Sequence, residues 1–384
     1  MMAQHDNRPM DLNQALPLLA GLSPAAFMRR HWQKRPLMAR QAIPGVLPPV
    51  TRAAMFALAA RDDVESRLIE CDRGGHWTLR HGPVPRRALP PLARPGWTLL
   101  VQGLDLHVDA AHELLSLFRF VPAARLDDLM LSYASAGGGV GPHTDSYDVF
   151  LLQVQGQRRW RVGRAGPACL REDVPLKMLA DFKPEHDWLL GPGDMLYLPP
   201  GWAHDGVAVG GDCMTASIGF RSPRADELAQ ALLARLADTG PLSDRAARYR
   251  DAAQGASMTP GAIPQALQAF AQRALAQAVA DPLTAQRTLG EWLTEPKAQV
   301  WFVAAPVQNI DGGVQLDRRT RMAYDDRHIF INGESLRATG RDARLMRALA
   351  DGRRLPAGVV RQASPAARAT LVEWLSSGWL RATA

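Results

Sequence analysis

The sequence predicts a mainly β fold with α-helices, in three parts: a strand-rich first part, a helical middle and a shorter mixed tail. Three observations predict it. Residues 1 to about 222 mix short apolar runs with Gly, Pro and aromatics, Trp77, Trp97, Trp160, Trp188 and Trp202 among them. That is the texture of strands joined by turns after a few helices. Residues 225–300 are rich in Ala, Leu and Gln, as in ADELAQALLARLADTG and PQALQAFAQRALAQAVA. Apolar residues recur there at helical spacing, so amphipathic helices are expected. Residues 305–384 return to short strands in RMAYDDRHIFING and then read as helices over DARLMRALADG and SPAARATLVEWLSSGWL. Ser364 followed by Pro365 is a helix start. The boundaries fall at Ser222-Pro223 and around Pro306.

Composition bounds the function. With 384 residues, 47% of them hydrophobic and 22% charged, the chain is neither disordered, fibrous nor a stapled mini-protein. Cys71, Cys169 and Cys213 lie far apart without a CxxC pair, which excludes a disulfide framework and a zinc ribbon and fits a reducing cytoplasm. No run reaches the roughly 18 apolar residues of a membrane helix, and the polar start MMAQHDNRPMDLNQ is unlike a signal peptide. The net charge is +7, and only four basic residues are lysines: Lys34, Lys177, Lys183 and Lys297. A GC-rich coding sequence gives that arginine bias by itself. The charge permits weak contact with rRNA, but no dense basic block demands it.

The chemistry begins at GGGVGPHTDSYDVFLLQV, residues 137–154. His143 and Asp145 are two apart on an expected strand, so both face one side. An imidazole and a carboxylate on one face are two of the three ligands of the facial triad that holds iron(II) with open positions. Alone, this pair reads equally well as a surface turn. The second piece is GPGDMLYLPPGWAHDG, residues 191–206. Pro199 and Pro200 stiffen a corner, Gly201 supplies its backbone geometry, and His204 opens the next strand. A double-stranded β-helix delivers its last metal ligand in this way. The third piece is Arg158 in QGQRRWRVG. A dicarboxylate such as 2-oxoglutarate needs a buried cation for its distal carboxylate, and a guanidinium fork suits it. Alternation puts Arg158 with Trp160 and Val162; a register one residue off gives the role to Arg159.

These segments together resemble the JmjC-type ribosomal oxygenases of bacteria. HWQKRPLMAR (31–40), DDVESRLIE (62–70), WTLLVQGLDLH (97–107), RLDDLMLSYASAGGGVGPH (125–143) and SIGFRSP (217–223) extend the resemblance. Beyond that point it is one of texture. The resemblance implies a JmjC/cupin double-stranded β-helix with N-terminal helices over 1–222. A helical dimerisation region over 223–304 and a winged-helix-like C-terminal domain over 305–384 would follow. It implies a homodimer that uses Fe(II), 2-oxoglutarate and O2 to hydroxylate the β-carbon of an arginine in a large-subunit ribosomal protein.

By the same resemblance the iron ligands fall on His143, Asp145 and His204. Co-substrate contacts fall on Arg158 and Ser132, and the substrate-arginine pocket on Asp128, Met130, Tyr147 and Ser217. Thr215 stands where relatives often carry Asn; its hydroxyl still offers a donor to the co-substrate. Independently, positions 128, 130 and 132 alternate onto one face, and a carboxylate facing a barrel interior is costly unless it meets a cation. The alternative is that Asp128 caps a turn and only Asp127, or neither, faces in. Other functional readings are a JmjC hydroxylase of a histidine in another ribosomal protein, and a cupin-like ribosome- or RNA-binding module without turnover.

Overall fold

The structure is a computed structural model that describes residues 11–166, 169–239, 248–250, 252, 261–304 and 309–383. The expected boundary at Pro306 lies outside these residues. The chain forms two compact units: residues up to Ser222 together with Lys297–Val303, and Pro223–Pro296 together with the chain from Ala304 onward.

The first unit is built on ten strands: β1 (Leu37–Ala39), β2 (Ser66–Cys71), β3 (Trp77–His81), β4 (Trp97–Val101), β5 (Leu126–Ala134), β6 (His143–Thr144), β7 (Asp148–Arg164), β8 (His186–Leu190), β9 (Met195–Leu198) and β10 (Trp202–Phe220). Their order is β1-β9-β7-β10-β5-β4-β2-β3, with β6 also on β10 and β8 also on β7. Every pairing is antiparallel.

The two faces differ. Phe150, Leu152 and Val154 of β7 and Met214, Ala216 and Ile218 of β10 join a core with α1 (Pro24–Arg30), α2 (Arg52–Ala59) and α3 (Asp109–Ser116). Phe27, Phe56, Trp97, Tyr133 and Tyr197 are buried in it, each stabilising the unit by roughly 1.5–3 kcal/mol through burial. Ser23 and Thr51 cap α1 and α2 by accepting from the N–H groups of Ala26 and Ala54. The other face carries Val149, Leu151, Trp160, Val162, Leu190, Leu196 and Leu198, and is the wall of the site described below.

In the second unit the apolar periodicity becomes α4 (Ala225–Thr239), α5 (Gln265–Ala278) and α6 (Pro282–Thr294). Its tail holds β11 (Gly313–Leu316), a meander of β12 (Met322–Tyr324), β13 (His328–Ile331) and β14 (Glu334–Arg337), α7 (Gly340–Gly352), β15 (Arg354–Pro356), α8 (Ala357–Val360), α9 (Pro365–Ser376) and β16 (Leu380–Ala382). β11 lies between β15 and β16. The Ser364-Pro365 start is realised: Ser364 Oγ accepts from Ala367 N at 3.1 Å. Leu345, Met346 and Leu349 of α7 and Leu371, Trp374 and Leu375 of α9 form the core of this tail.

Candidate active site

His143 on β6 lies directly opposite His204 on β10 in an antiparallel pair. The strand expected to run through Asp145 ends at Thr144, and Asp145 stands beyond the ladder. The cause is the proline corner: Gly201, at φ +76°, turns its N–H onto the carbonyl of Asp145 at 2.9 Å. Asp145 still faces the histidines. Its carboxylate oxygens stand 3.9 Å from His143 Nε2 and 3.5 Å from His204 Nε2. Those separations are long for N–H···O bonds and suit donor atoms turned to a common point.

The other ring nitrogens explain the orientation. His143 Nδ1 meets the Gly141 carbonyl at 2.9 Å and His204 Nδ1 the Trp202 carbonyl at 3.0 Å. A carbonyl only accepts, so each Nδ1 donates to it, and each Nε2 is the atom turned toward the Asp145 carboxylate. Burial, and then the neighbouring His143, push His204 down to about 4, which keeps this imidazole neutral. The donor atoms of the three residues lie within 4.8 Å of one another, the one such cluster among the described residues. Two imidazoles and a carboxylate are a donor set that suits a divalent transition metal.

Arg158 faces the interior, and Arg159 does not. Arg158 is 4% exposed, while Arg159 points outward, 3.7 Å from Asp187. Arg158 Nε and Nη2 are buried without a hydrogen-bond partner, and the guanidinium lies 5.6 Å from the Trp160 ring. Trp160 in turn stands 5.8 Å from the His204 ring. A side chain at Gly206 would strike Trp160 at 2.5 Å, so only glycine lets the indole fit there. A buried guanidinium with unmet donors is costly, and a carboxylate is the group that relieves it.

Asp128, Met130 and Ser132 share the inner face of β5. Ser217 pairs with Met130 and Thr215 with Ser132 across the strands. A side chain at Gly219 would touch both the Tyr147 ring, at 3.7 Å, and Asp128 Oδ1, at 3.8 Å. Asp128, Met130, Tyr147 and Ser217 therefore lie close together around the inner face of β5 and β10. Burial, and then Asp145 and Asp128, hold the Tyr147 hydroxyl in its protonated form. Thr215 faces inward, but its hydroxyl donates to Gln153 Oε1 at 2.8 Å. Gln153 Nε2 donates to the Gln155 carbonyl at 2.7 Å, which fixes the amide. No spacing in the sequence pointed to Gln153.

Lys297 is the second residue that sequence reasoning missed. Its Nζ is 3.1 Å from Asp127 Oδ1 and 3.5 Å from Asp128 Oδ2. Asp128 Oδ2 also accepts from Gly103 N at 2.9 Å. Arg221 holds Asp127 at 2.9 Å. Burial raises the Asp128 carboxyl, against the pull of Lys297. Burial raises Asp127 too, but Lys297 and Arg221 outweigh it and hold that carboxyl below its ordinary range.

Behind them, burial and then Asp128 push Asp105 up to about 6. This carboxyl binds its proton more tightly folded than unfolded, so it contributes stability that is lost as pH rises through about 6. Asp105→Asn keeps an oxygen for the Leu129 N–H now accepted at 2.8 Å. It is expected to stabilise the protein by about 1–2 kcal/mol at pH 8 and hardly at pH 4. Urea unfolding at the two pH values checks this; equal effects at both would exclude Asp105 as the titrating group.

Comparison with known proteins bears on the same residues. Residues 113–228 match a family model described as a JmjC domain, and residues 274–381 one described as a ROXA-like winged helix. A 205-residue segment is 40% identical to the ribosomal protein uL16 3-hydroxylase of Escherichia coli K12, and spans 53% of each protein, about half the length of that relative. The crystal structure of E. coli YcfD superposes with a TM-score of 0.82 at 28% identity, over 94% of this chain and 98% of that one. A second YcfD structure, described as a ribosomal oxygenase in complex with cobalt and 2-oxoglutarate, gives 0.77 at 28% identity over the same shares. No helix among the described residues is long and apolar enough to cross a membrane. The chain is therefore similar to JmjC domains over residues 113–228 and to the ROXA-like winged helix over residues 274–381, on the same backbone plan as YcfD.

Proposed function

We propose that this protein is an iron(II)- and 2-oxoglutarate-dependent oxygenase that hydroxylates the β-carbon of an arginine in a large-subunit ribosomal protein. The observation that carries the proposal is the pairing of a His-Asp-His donor cluster with the buried, unpaired guanidinium of Arg158. A metal-binding module without turnover has no use for the second. The relative that hydroxylates uL16 and the YcfD complex with cobalt and 2-oxoglutarate support the same reading.

When bound, iron(II) with 2-oxoglutarate and O2 supplies the oxidising power that converts C–H to C–OH, leaving succinate and carbon dioxide. The chain's own residues do the rest. His143 and His204, through Nε2, and Asp145 would hold the metal. Arg158 anchors the distal carboxylate of the co-substrate, and Ser132 and Thr215 flank it. Asp128 takes the substrate guanidinium, with Met130, Tyr147 and Ser217 framing the side chain. Val149, Leu151, Trp160 and Val162 exclude water.

In the same reading residues 1–222 are the catalytic domain, 223–304 the helical dimerisation region and 305–384 the winged-helix-like domain of a cytoplasmic homodimer. Exposed Leu233 and Val279 rim a cleft of about 250 Å³ on α4 and α6, an apolar face suited to a helix of a second copy. The net charge of +7 supports weak rRNA contact at the substrate's own location. The test is mass spectrometry on a uL16 peptide incubated with enzyme, iron(II), ascorbate and 2-oxoglutarate. One added oxygen on an arginine is expected, and none with His143→Ala. Succinate without that gain discards the substrate but keeps the oxygenase. Neither signal in iron-loaded protein sinks the proposal, and a monomer by sedimentation at micromolar concentration retires the dimer.

A further inference from the structure

We infer that Lys297 is the resting counter-ion of the substrate pocket, a cation that yields Asp128 to an incoming guanidinium and so favours arginine over lysine. The inference rests on the assignment of Asp128 as the partner of the substrate arginine. Asp128 is 7% exposed, so its charge needs a partner at all times, including between substrates. The Gly103 N–H meets part of that need, and Lys297 supplies the opposite charge. The contact is built to be given up: at 3.5 Å the ammonium is a long, single-point neighbour of Asp128, while at 3.1 Å it sits closer to Asp127. When a guanidinium takes Asp128, Lys297 keeps Asp127. Its side chain is 26% exposed, so the exchange is open to solvent.

The chemistry of the two cations decides which substrate gains. A guanidinium offers two parallel N–H donors to one carboxylate, and an ammonium offers a point charge. An arginine therefore gains a forked pair over what Lys297 already gives, whereas a lysine trades one ammonium for another and gains nothing. Arginine at 297 would hold Asp128 by the same fork and block the pocket. In a chain where only four basic residues are lysines, one stands at this carboxylate.

The test uses the full chain loaded with Mn(II) and 2-oxoglutarate at pH 8. Binding of n-butylguanidinium and n-butylammonium is measured by calorimetry. Relative to wild type, n-butylguanidinium is expected to bind about fivefold more tightly to Lys297→Met and about fivefold more weakly to Lys297→Arg. The preference for guanidinium over ammonium should narrow in Lys297→Met. A purely structural lysine predicts the reverse, with Lys297→Arg like wild type and Lys297→Met weaker. That result, or equal affinities in all three proteins, overturns the inference. Asp128→Asn that still binds n-butylguanidinium at wild-type strength, or no binding by any variant, overturns instead the assignment of Asp128 beneath it.

Discussion

Asp145→Ala is expected to lower 2-oxoglutarate turnover by about a thousandfold or more, since the bound metal contributes several kcal/mol of barrier lowering. Asp145 is the only carboxylate of the donor cluster, and its loss leaves two imidazoles to hold a divalent ion. The fold should not notice. The hydrogen bond that ties this residue to the proline corner uses its backbone carbonyl, which alanine retains. Its carboxylate stands too far from the two imidazoles for hydrogen bonds, and its charge otherwise acts on the Tyr147 hydroxyl, which burial keeps protonated in any case. The thermal midpoint of the metal-free protein should therefore match wild type, while Mn(II) binding by calorimetry is lost. Turnover within tenfold of wild type would remove Asp145 from the metal.

Arg158→Met is expected to do two opposite things. The metal-free, co-substrate-free protein should become more stable by about 1–3 kcal/mol, because a buried cation with unmet donors is replaced by an apolar side chain of similar length. Affinity for 2-oxoglutarate should fall about a hundredfold, as charge-assisted hydrogen bonds to its distal carboxylate are lost. The stabilisation of wild type by saturating 2-oxoglutarate should disappear with it. Urea unfolding with and without the co-substrate reads both effects from one experiment. A destabilised variant that still binds 2-oxoglutarate normally would show Arg158 to be a packing residue.

Much of this site was legible in the sequence because its parts are local. The proline corner, the glycine after it and His204 follow one another, and backbone constraints at Pro and Gly need no tertiary context. Arg158 was legible through Trp160 and Val162, whose burial sets the facing of its strand. Ser364 announced α9 by cap chemistry alone. What stayed hidden depends on distant partners. Asp145 leaves the ladder because of Gly201, and Thr215 lends its proton to Gln153. Lys297 reaches Asp128 only because Lys297–Val303 folds back onto the first unit. Whether Asp127 or Asp128 faced inward was likewise settled by pairing: Leu129 and Leu131 enter the helix-covered core, which turns Asp128 the other way.

The irregular stretch of β10 has a consequence for how this protein can vary. His204 and Thr215 lie on that one strand an odd number of residues apart, and odd spacing on an unbroken strand sends side chains to opposite faces. The register of β10 against β7 shifts between Val209 and Met214 and again before Thr215. β7 changes phase in step, so that Val149 and Leu151 share a face with Trp160 and Val162 despite the change from odd to even numbers. The bulge is thus a parity switch. It puts the metal-holding half and the pocket-forming half of each strand on the same side of the sheet. A single residue inserted or deleted there would turn one half inside out with every side chain still present. At this place the chain can lengthen or shorten only in twos.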